Sequence, residues 1–167
     1  MTETPKTNTP AVSDRSRARA EWMGVLARAP ESQLEAAWDD LSADHGDVSY
    51  SLLRAPEKGL VMVRGRAGGD GQAFNLGEMT VTRCSVKLTD GTVGHGYVAG
   101  RSARHAELIA VFDGLLQIPA YADAVAERVL VPVKASLAVA RAQTAAKTAA
   151  TKVEFFTMVR EQGASLE

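Results

Sequence analysis

Arginine and glycine are concentrated in one stretch of the sequence, RGRAGGDGQAFNLGEMTVTRC, at residues 64–84. Backbone N–H groups of a glycine-rich turn, with arginine side chains beside them, can hold a phosphate group. This stretch lacks the lysine and the serine or threonine that end a nucleotide-binding P-loop, and the residues after it favour a strand rather than a helix. The glycines are therefore predicted to form a tight turn between strands.

Five basic side chains on or beside predicted strands remain candidates for contact with an anion or a partner protein: Arg64, Arg66, Arg83, His95 and Arg101. Arg64 and Arg66 alternate along one strand and share a face. If the four arginines converge, they would bind a polyphosphate or the acidic side chains of a partner. The alternative is that each arginine is solvated or pairs with a carboxylate. The carboxylates considered as partners are Glu57, Glu78 and Asp90.

The histidines and the single cysteine offer little for metal or nucleophilic chemistry. They are His45, His95, His105 and Cys84. No two have a metal-ligand spacing within one element, so a metal site of His95, His105 and either Glu78 or Cys84 would depend entirely on the fold. Cys84 is expected to be a buried strand residue, and the weaker alternative is a nucleophile whose pKa is lowered by the neighbouring arginine. No Ser-His-Asp constellation or catalytic carboxylate pair stands out, so no catalytic or metal-binding residue is predicted.

Composition limits the class of protein. The 167 residues, 46% hydrophobic and 23% charged, suit a single domain with one core. The 19 basic and 20 acidic side chains give a net charge of -1, which favours neither nucleic acid nor an anionic membrane as a partner. One cysteine permits no internal disulfide, the first residues lack the apolar core of a signal peptide, and no stretch is long enough to span a bilayer. We expect a soluble cytoplasmic protein.

The order of elements predicts an α+β fold. Residues 1–13 are expected to form a disordered tail and residues 14–167 one domain, beginning with two amphipathic helices that are separated at Pro30. Four antiparallel strands joined as hairpins are predicted next, in VSYSLLR, LVMVRGR, FNLGEMTVTRCSVKL and TDGTVGHGYVAG. APEKG is expected to turn between the first two, and Asp-Gly between the last two. Three glycines inside strand patterns predict bulges or close approach of another backbone: Gly77, Gly94 and Gly96.

The helical period returns after the strands. A helix capped by Ser102 is expected to cover the sheet, and a long helix follows that Pro132 should start or kink. Its alanine-rich middle has little large apolar surface, so it is expected to pack on a partner as well as on this chain. Near the end, VEFFTMVR is predicted to provide a partner-helix surface, formed by Phe155, Phe156 and Met158.

Four long strings carry a resemblance to a known family: EWMGVLARA, LVMVRGRAGGDGQAFNLGEMTVTRCSVKL, GHGYVAGRSARHAELIAVFDGLLQ and AATKVEFFTMVR. In this order and spacing they resemble the PhnG family of the bacterial carbon-phosphorus lyase system, from about Arg17 to about Gln162. The resemblance implies a subunit of a core complex with the H, I and J subunits. A K subunit similar to ATP-binding cassette proteins is expected to attach to that complex.

The resemblance also implies a reaction. The I subunit, working with this chain and the H subunit, is expected to displace adenine from MgATP by a phosphonate, giving an α-D-ribose 1-alkylphosphonate 5-triphosphate in phosphonate catabolism. MgATP would be a substrate of the complex, and no cofactor is expected on this chain. The family offers no catalytic residue to carry over, so the expected role is accessory. The alternative is that the arginines contribute directly to the triphosphate or phosphonate site.

Overall fold

Helices flank a three-stranded antiparallel sheet in the part of the chain that the structure describes. The structure is a computed structural model that describes residues 14–46, 48–67 and 71–152, and of His45 only the backbone. Its elements in chain order are α1 (Asp14–Leu26), α2 (Glu31–His45), β1 (Tyr50–Gly65), β2 (Phe74–Leu88), β3 (Val93–Ala99), α3 (Ala103–Leu115), α4 (Pro119–Val125), a π-helical turn (Ala126–Leu130) and α5 (Val131–Ala150). The α+β class and the two N-terminal helices agree with the sequence prediction.

The prediction of four strands is wrong, because the first two are one continuous strand. β1 runs through APEKG without turning and pairs with β2 on both sides of it. β1 is an edge strand in the order β1-β2-β3, so one of its sides pairs with no other strand and needs no N–H donors. Pro56, which has no N–H, is therefore accommodated. Gly59 does not adopt the positive φ that a tight turn would use. Register shifts on either side of Arg54 absorb the irregularity instead.

The predicted Asp-Gly turn between β2 and β3 is confirmed. Gly91 has a φ of 91°, and its N–H donates to the Leu88 carbonyl at 3.0 Å. The Asp90 carboxylate accepts hydrogen bonds from the Thr92 N–H and hydroxyl, and the hydroxyl bond is the main cause that lowers the pKa of Asp90. The turn therefore sets the pairing register of the two strands.

Helix α3 lies directly on β3 because two glycines of β3 have no side chain that would separate the strand from the helix. A Cβ added at Gly96 would overlap the Ala106 carbonyl oxygen and lie 2.9 Å from its carbon, and one at Gly94 would lie 2.6 Å from the Gly114 nitrogen. The predicted close backbone approach at both glycines is confirmed. Gly77 has open space around it but borders a register shift in the β1–β2 pairing.

The core lies around α3, which packs on β2 and β3 and also contacts α1 and α2. Ser102 caps the helix as predicted, since its hydroxyl accepts from the His105 N–H at 3.1 Å. A helix packed on several sides is expected to be apolar around most of its circumference. The largest fully buried side chains include Leu26, Leu34, Leu41, Leu108, Ile109 and Phe112.

Pro132 lies in the first turn of α5, as predicted, and the helix type changes just before it. The N–H of Val131 donates to the Ala126 carbonyl across five residues, which is the π-helical pattern. This wider turn accommodates the hydrogen bond that proline cannot donate. Residues 138–150 of α5 are all exposed, while Phe155, Phe156 and Met158 lie outside the described residues. Among the described helices, none has both the length and the apolar character needed to cross a membrane.

Candidate functional site

A bulge in β1 places an unusual set of charges on one side of the sheet. Arg54 lies opposite Ser85 and Glu57 lies opposite Arg83, so β1 has one extra residue between these pairs. Two residues three apart would point to opposite faces of a regular strand. Because cross-strand partners share a face, the bulge instead puts both Arg54 and Glu57 on the face of Arg83 and Ser85.

Glu57 bridges the two arginines of this face. Its Oε1 atom accepts from Arg54 Nη1 at 2.6 Å and from Arg83 Nε at 2.5 Å. These hydrogen bonds, the one from Arg54 first, lower the pKa of Glu57, so its carboxylate stays charged at neutral pH. One negative charge between two guanidinium groups leaves a net charge of +1 on the trio. All three side chains are about half exposed, so solvent and salt screen the pairs.

The rest of this face comes from the β2–β3 hairpin. The Ser85 hydroxyl lies 2.9 Å from His95 Nδ1, and Tyr97 lies opposite Arg83. A cavity of about 310 Å³ lies among these residues and Arg54. We call this surface the exposed sheet face; its polar and charged members are Arg54, Glu57, Arg83, Ser85, Lys87, His95 and Tyr97.

The Ser85–His95 pair is not a catalytic triad among the described residues. A triad needs a third group that orients the histidine ring. The nearby carboxylate Asp113 accepts from the backbone N–H of His95 at 2.8 Å, not from its ring. No carboxylate of the described residues makes a hydrogen bond or ion pair with the ring, so the pair has no orienting acid.

Cys84 is the buried strand residue that the sequence predicted. Its thiol donates to the Arg54 carbonyl at 3.4 Å on the side of the sheet away from Arg83. Burial, followed by the charge of Glu107, raises the pKa of Cys84. The alternative of a thiol activated by Arg83 is wrong, because successive strand side chains point to opposite faces.

A buried carboxylate fixes the strand that carries His95. Asp113 is fully buried on α3 and accepts from Arg19 Nε at 3.1 Å and Arg19 Nη2 at 2.6 Å. It also accepts from Trp22 Nε1 at 2.9 Å and from the His95 N–H. Four donors satisfy its two oxygens, which offsets the cost of burying the charge. Asp113 therefore ties α1 and the outer edge of β3 to the core.

Of the five basic candidates for contact with an anion or a partner, the structure brings only Arg83 and His95 onto one small patch. Arg64 lies opposite Asn75, eight residues along β2 from Arg83 and therefore about 26 Å away at about 3.3 Å per residue. Arg66 follows the end of β1. Arg101 follows β3 and makes no hydrogen bond or ion pair with any residue that the structure describes. Arg64, Arg66 and Arg101 therefore do not join Arg83 and His95 in one patch.

The metal alternative is also wrong within the described residues. No group of three or more His, Cys, Asp or Glu side chains there could hold a metal ion. His95 lies on the exposed sheet face, whereas His105 belongs to α3, which covers the other face. The Nε2 atom of His105 is buried without a hydrogen-bond partner in the structure.

A second surface is apolar. The outer part of the β1–β2 hairpin, residues 59–65 and 74–80, is called here the arm. Its large apolar side chains are exposed, with exposed fractions from 36% to 64%: Leu60, Met62, Val63, Phe74, Leu76 and Met79. Leu60 and Met62 share one face with their cross-strand partners, while Val63, Phe74 and Met79 lie on the other. The arm is therefore apolar on both faces.

Sequence reasoning missed Arg54, Ser85 and Tyr97 as members of one site. The hairpin register would have found part of it only with a three-residue loop, Thr89 to Gly91, which pairs Ser85 with His95 and Arg83 with Tyr97. A two-residue Asp-Gly loop shifts that register by one residue. Arg54 had no such signal, since the bulge that redirects it interrupts the register of β1.

Comparison with known proteins connects these surfaces to a family. A family model described as phosphonate metabolism protein PhnG matches residues 17–161. The chain belongs to the PhnG family. A PhnG relative from Rhizobium meliloti (strain 1021) is 47% identical over 142 residues, which cover 85% of this chain and 88% of the relative. That relative is named alpha-D-ribose 1-methylphosphonate 5-triphosphate synthase subunit PhnG. The match to the PhnG model spans both the exposed sheet face and the arm.

Proposed function

We propose that this chain is an accessory subunit of an α-D-ribose 1-alkylphosphonate 5-triphosphate synthase in phosphonate catabolism. The observation that carries the proposal is its 47% identity to a relative named as a subunit of that synthase. Its partners are the H, I and J subunits of the carbon-phosphorus lyase core complex, to which a K subunit attaches. The I subunit performs the displacement of adenine from MgATP by the phosphonate, and this chain supplies binding surfaces rather than reacting groups.

The arm is the surface that docks onto the I subunit. A two-stranded hairpin is marginally stable in water on its own, and exposed apolar side chains on both faces add to that cost. A flat contact would cover one face and leave the other in water. An arm that is apolar on both faces instead fits a cleft in a larger partner, which also favours a different subunit over a second copy of this chain.

Co-purification with tagged I subunit tests this docking. Leu60→Asp and Phe74→Asp place a charge on opposite faces of the arm, at side chains that are 64% and 47% exposed. Exposed positions usually tolerate such changes within about 0.5 kcal/mol, so both variants should fold. Ala36→Asp is the control, because Ala36 is exposed on α2, outside the arm, and the substitution introduces the same charge.

The two arm variants should fail to co-purify with the I subunit, while the Ala36 variant should behave as wild type. Circular dichroism melts confirm that each variant is folded. Normal co-purification of both arm variants would refute docking through the arm. Equal loss in the Ala36 variant would show that the effect is not specific to the arm, and would refute it as well.

A direct contribution to the substrate site is the second candidate function. It is favoured by the arginines and the histidine that surround one cavity on the exposed sheet face. In that case Arg83→Gln should assemble normally but lose turnover by roughly one to three orders of magnitude, the range for removal of a positioned electrostatic group. Under the accessory role alone, the same variant should keep near wild-type turnover once assembled.

A further inference from the structure

We propose that the exposed sheet face binds a phosphate or phosphonate oxyanion in the cavity bordered by Arg54, Arg83 and His95. The cavity of about 310 Å³ is at the lower end of the range for small-molecule sites and is large enough for a phosphoryl group. Oxyanions of this type are recognised by arginine forks together with hydroxyl and ring N–H donors. All three kinds of donor line this cavity.

Most donors of this face are free to contact an anion. Each guanidinium group gives one hydrogen bond, to Glu57, and makes no other with the residues that the structure describes. Each carries five N–H donors, so most of them remain for an anion. His95 uses Nδ1 toward Ser85 and leaves Nε2 without a partner among the described residues.

The charge balance of the face also favours an anion. Arg54, Arg83 and Lys87 outnumber the one carboxylate, Glu57, so the face has a net charge of +2 before any charge on His95 is counted. The whole chain carries a net charge of -1, which makes this positive region a local feature. A multiply charged phosphate competes effectively for arginines that now share a single carboxylate oxygen.

The site is held in place by the fold beneath it. Gly94 and Gly96 on either side of His95 pack directly on α3, and Asp113 binds the His95 N–H. The bulge that brings Arg54 onto this face is anchored where the Cys84 thiol donates to the Arg54 carbonyl. A backbone fixed in this way orients the donors before the ligand arrives, which reduces the entropy cost of binding.

Binding of an oxyanion as such stands on this geometry, while the choice between the two ligands below rests on the proposed function. Two oxyanions fit the same chemistry, a phosphonate and the end of a triphosphate chain. Inorganic phosphate, methylphosphonate and sodium tripolyphosphate are therefore the three probes. Tighter binding of tripolyphosphate identifies the triphosphate end as the ligand, and tighter binding of methylphosphonate identifies the phosphonate.

Isothermal titration of the full chain at low ionic strength measures each probe. Arg83→Gln and His95→Gln should weaken binding about tenfold or more, because each loses a hydrogen bond to a charged ligand. Arg101→Gln is the matched control, since it removes the same charge from an exposed arginine outside the cavity. It should change the dissociation constant less than about twofold.

Glu57→Gln gives the sharpest test, because it should strengthen oxyanion binding, whereas Arg83→Gln and His95→Gln should weaken it. Removing the carboxylate frees two guanidinium groups and should tighten oxyanion binding severalfold. An ion-pair trio with a purely structural role would gain nothing from this change. Thermal melts check that every variant is folded before titration.

Absence of saturable binding for all three probes would overturn the inference. Equal weakening by Arg83→Gln and Arg101→Gln would do the same, since it would indicate general charge attraction. Failure of this test leaves co-purification through the arm untouched, and loss of co-purification leaves oxyanion binding by the isolated chain untouched. The two proposals can therefore fail separately.

Discussion

Replacing Gly96 by alanine should destabilise the fold by separating β3 from α3. The added Cβ would overlap the Ala106 carbonyl oxygen and lie 2.9 Å from its carbon and 3.0 Å from the Ala110 nitrogen. All three atoms belong to the backbone, so no side-chain rotation can relieve the overlap. The strand and the helix must instead move apart by on the order of 1 Å, a gap that forfeits about a quarter to a half of the dispersion energy of each affected contact.

The expected cost is about 3 kcal/mol, the upper end of the usual range for overpacking, because a whole interface must separate. For a chain of this size, that loss lowers the melting temperature by about 6–12 °C. Gly59→Ala is the matched control, since nothing lies within 4 Å of a Cβ at that strand position. It should leave stability unchanged or raise it by up to about 1 kcal/mol.

Urea unfolding of the full chain, followed by the fluorescence of the partly buried Trp22 and Trp38, measures both variants. A loss of less than about 1 kcal/mol in the free energy of unfolding of Gly96→Ala would refute this prediction. The prediction would also be refuted if Gly59→Ala lost as much stability as Gly96→Ala. In that case the loss would reflect any strand glycine rather than contact with α3.

Three further predictions concern buried groups. Asp113→Asn should lower the free energy of unfolding by about 3 kcal/mol in the same urea titration. This is the low end for breaking a buried ion pair, because Arg19 is partly exposed and can turn to solvent. Asp123→Asn, at an exposed position, should have no such effect. Burial, with a hydrogen bond to a carboxylate, raises the pKa of Tyr50 from 10.0 to about 12. Its contribution to stability is therefore complete below about pH 10 and lost as pH rises toward 12, and Tyr50→Phe should flatten this part of the pH dependence; an unchanged slope would contradict the argument. Burial also raises the pKa of Cys84, so Ellman's reagent should label it only after unfolding, and rapid labelling of the native chain would count against its burial.

Local signals predicted much of the fold. The Ser102 cap, the Asp90–Gly91 turn and the start of α5 next to Pro132 each depend on residues within a few positions of one another. The close approach at Gly94 and Gly96 was also predictable, because a glycine inside a strand leaves room on one face. Elements that depend on local chemistry were therefore placed correctly.

The failed predictions depended on tertiary context. APEKG has the residues of a turn, yet Pro56 and Gly59 lie in an extended edge strand. Proline has no backbone N–H, so it interrupts a strand only where a neighbouring strand needs a donor at that position. The sequence does not show where that is. The resulting bulge brings Arg54 to the side of Arg83, while Arg64 and Arg66 remain at the far end of the same strand.

The arm was missed for a different physical reason. Apolar residues on both faces of a strand usually indicate a strand buried on both sides of a sheet. The composition of LVMVRGR is the same whether the covering layer belongs to this chain or to another one. In the described residues the chain supplies no cover, and Leu60 and Met62 are more than half exposed.

Adenine release from MgATP and methylphosphonate by purified H and I subunits tests the central claim most directly. The reaction is measured with the wild-type chain, without it, and with the Leu60→Asp/Phe74→Asp double variant. We predict turnover with the wild-type chain and little turnover in its absence or with the arm variant. Equal adenine release by the H and I subunits alone would contradict the claim that this chain is a working subunit of the synthase.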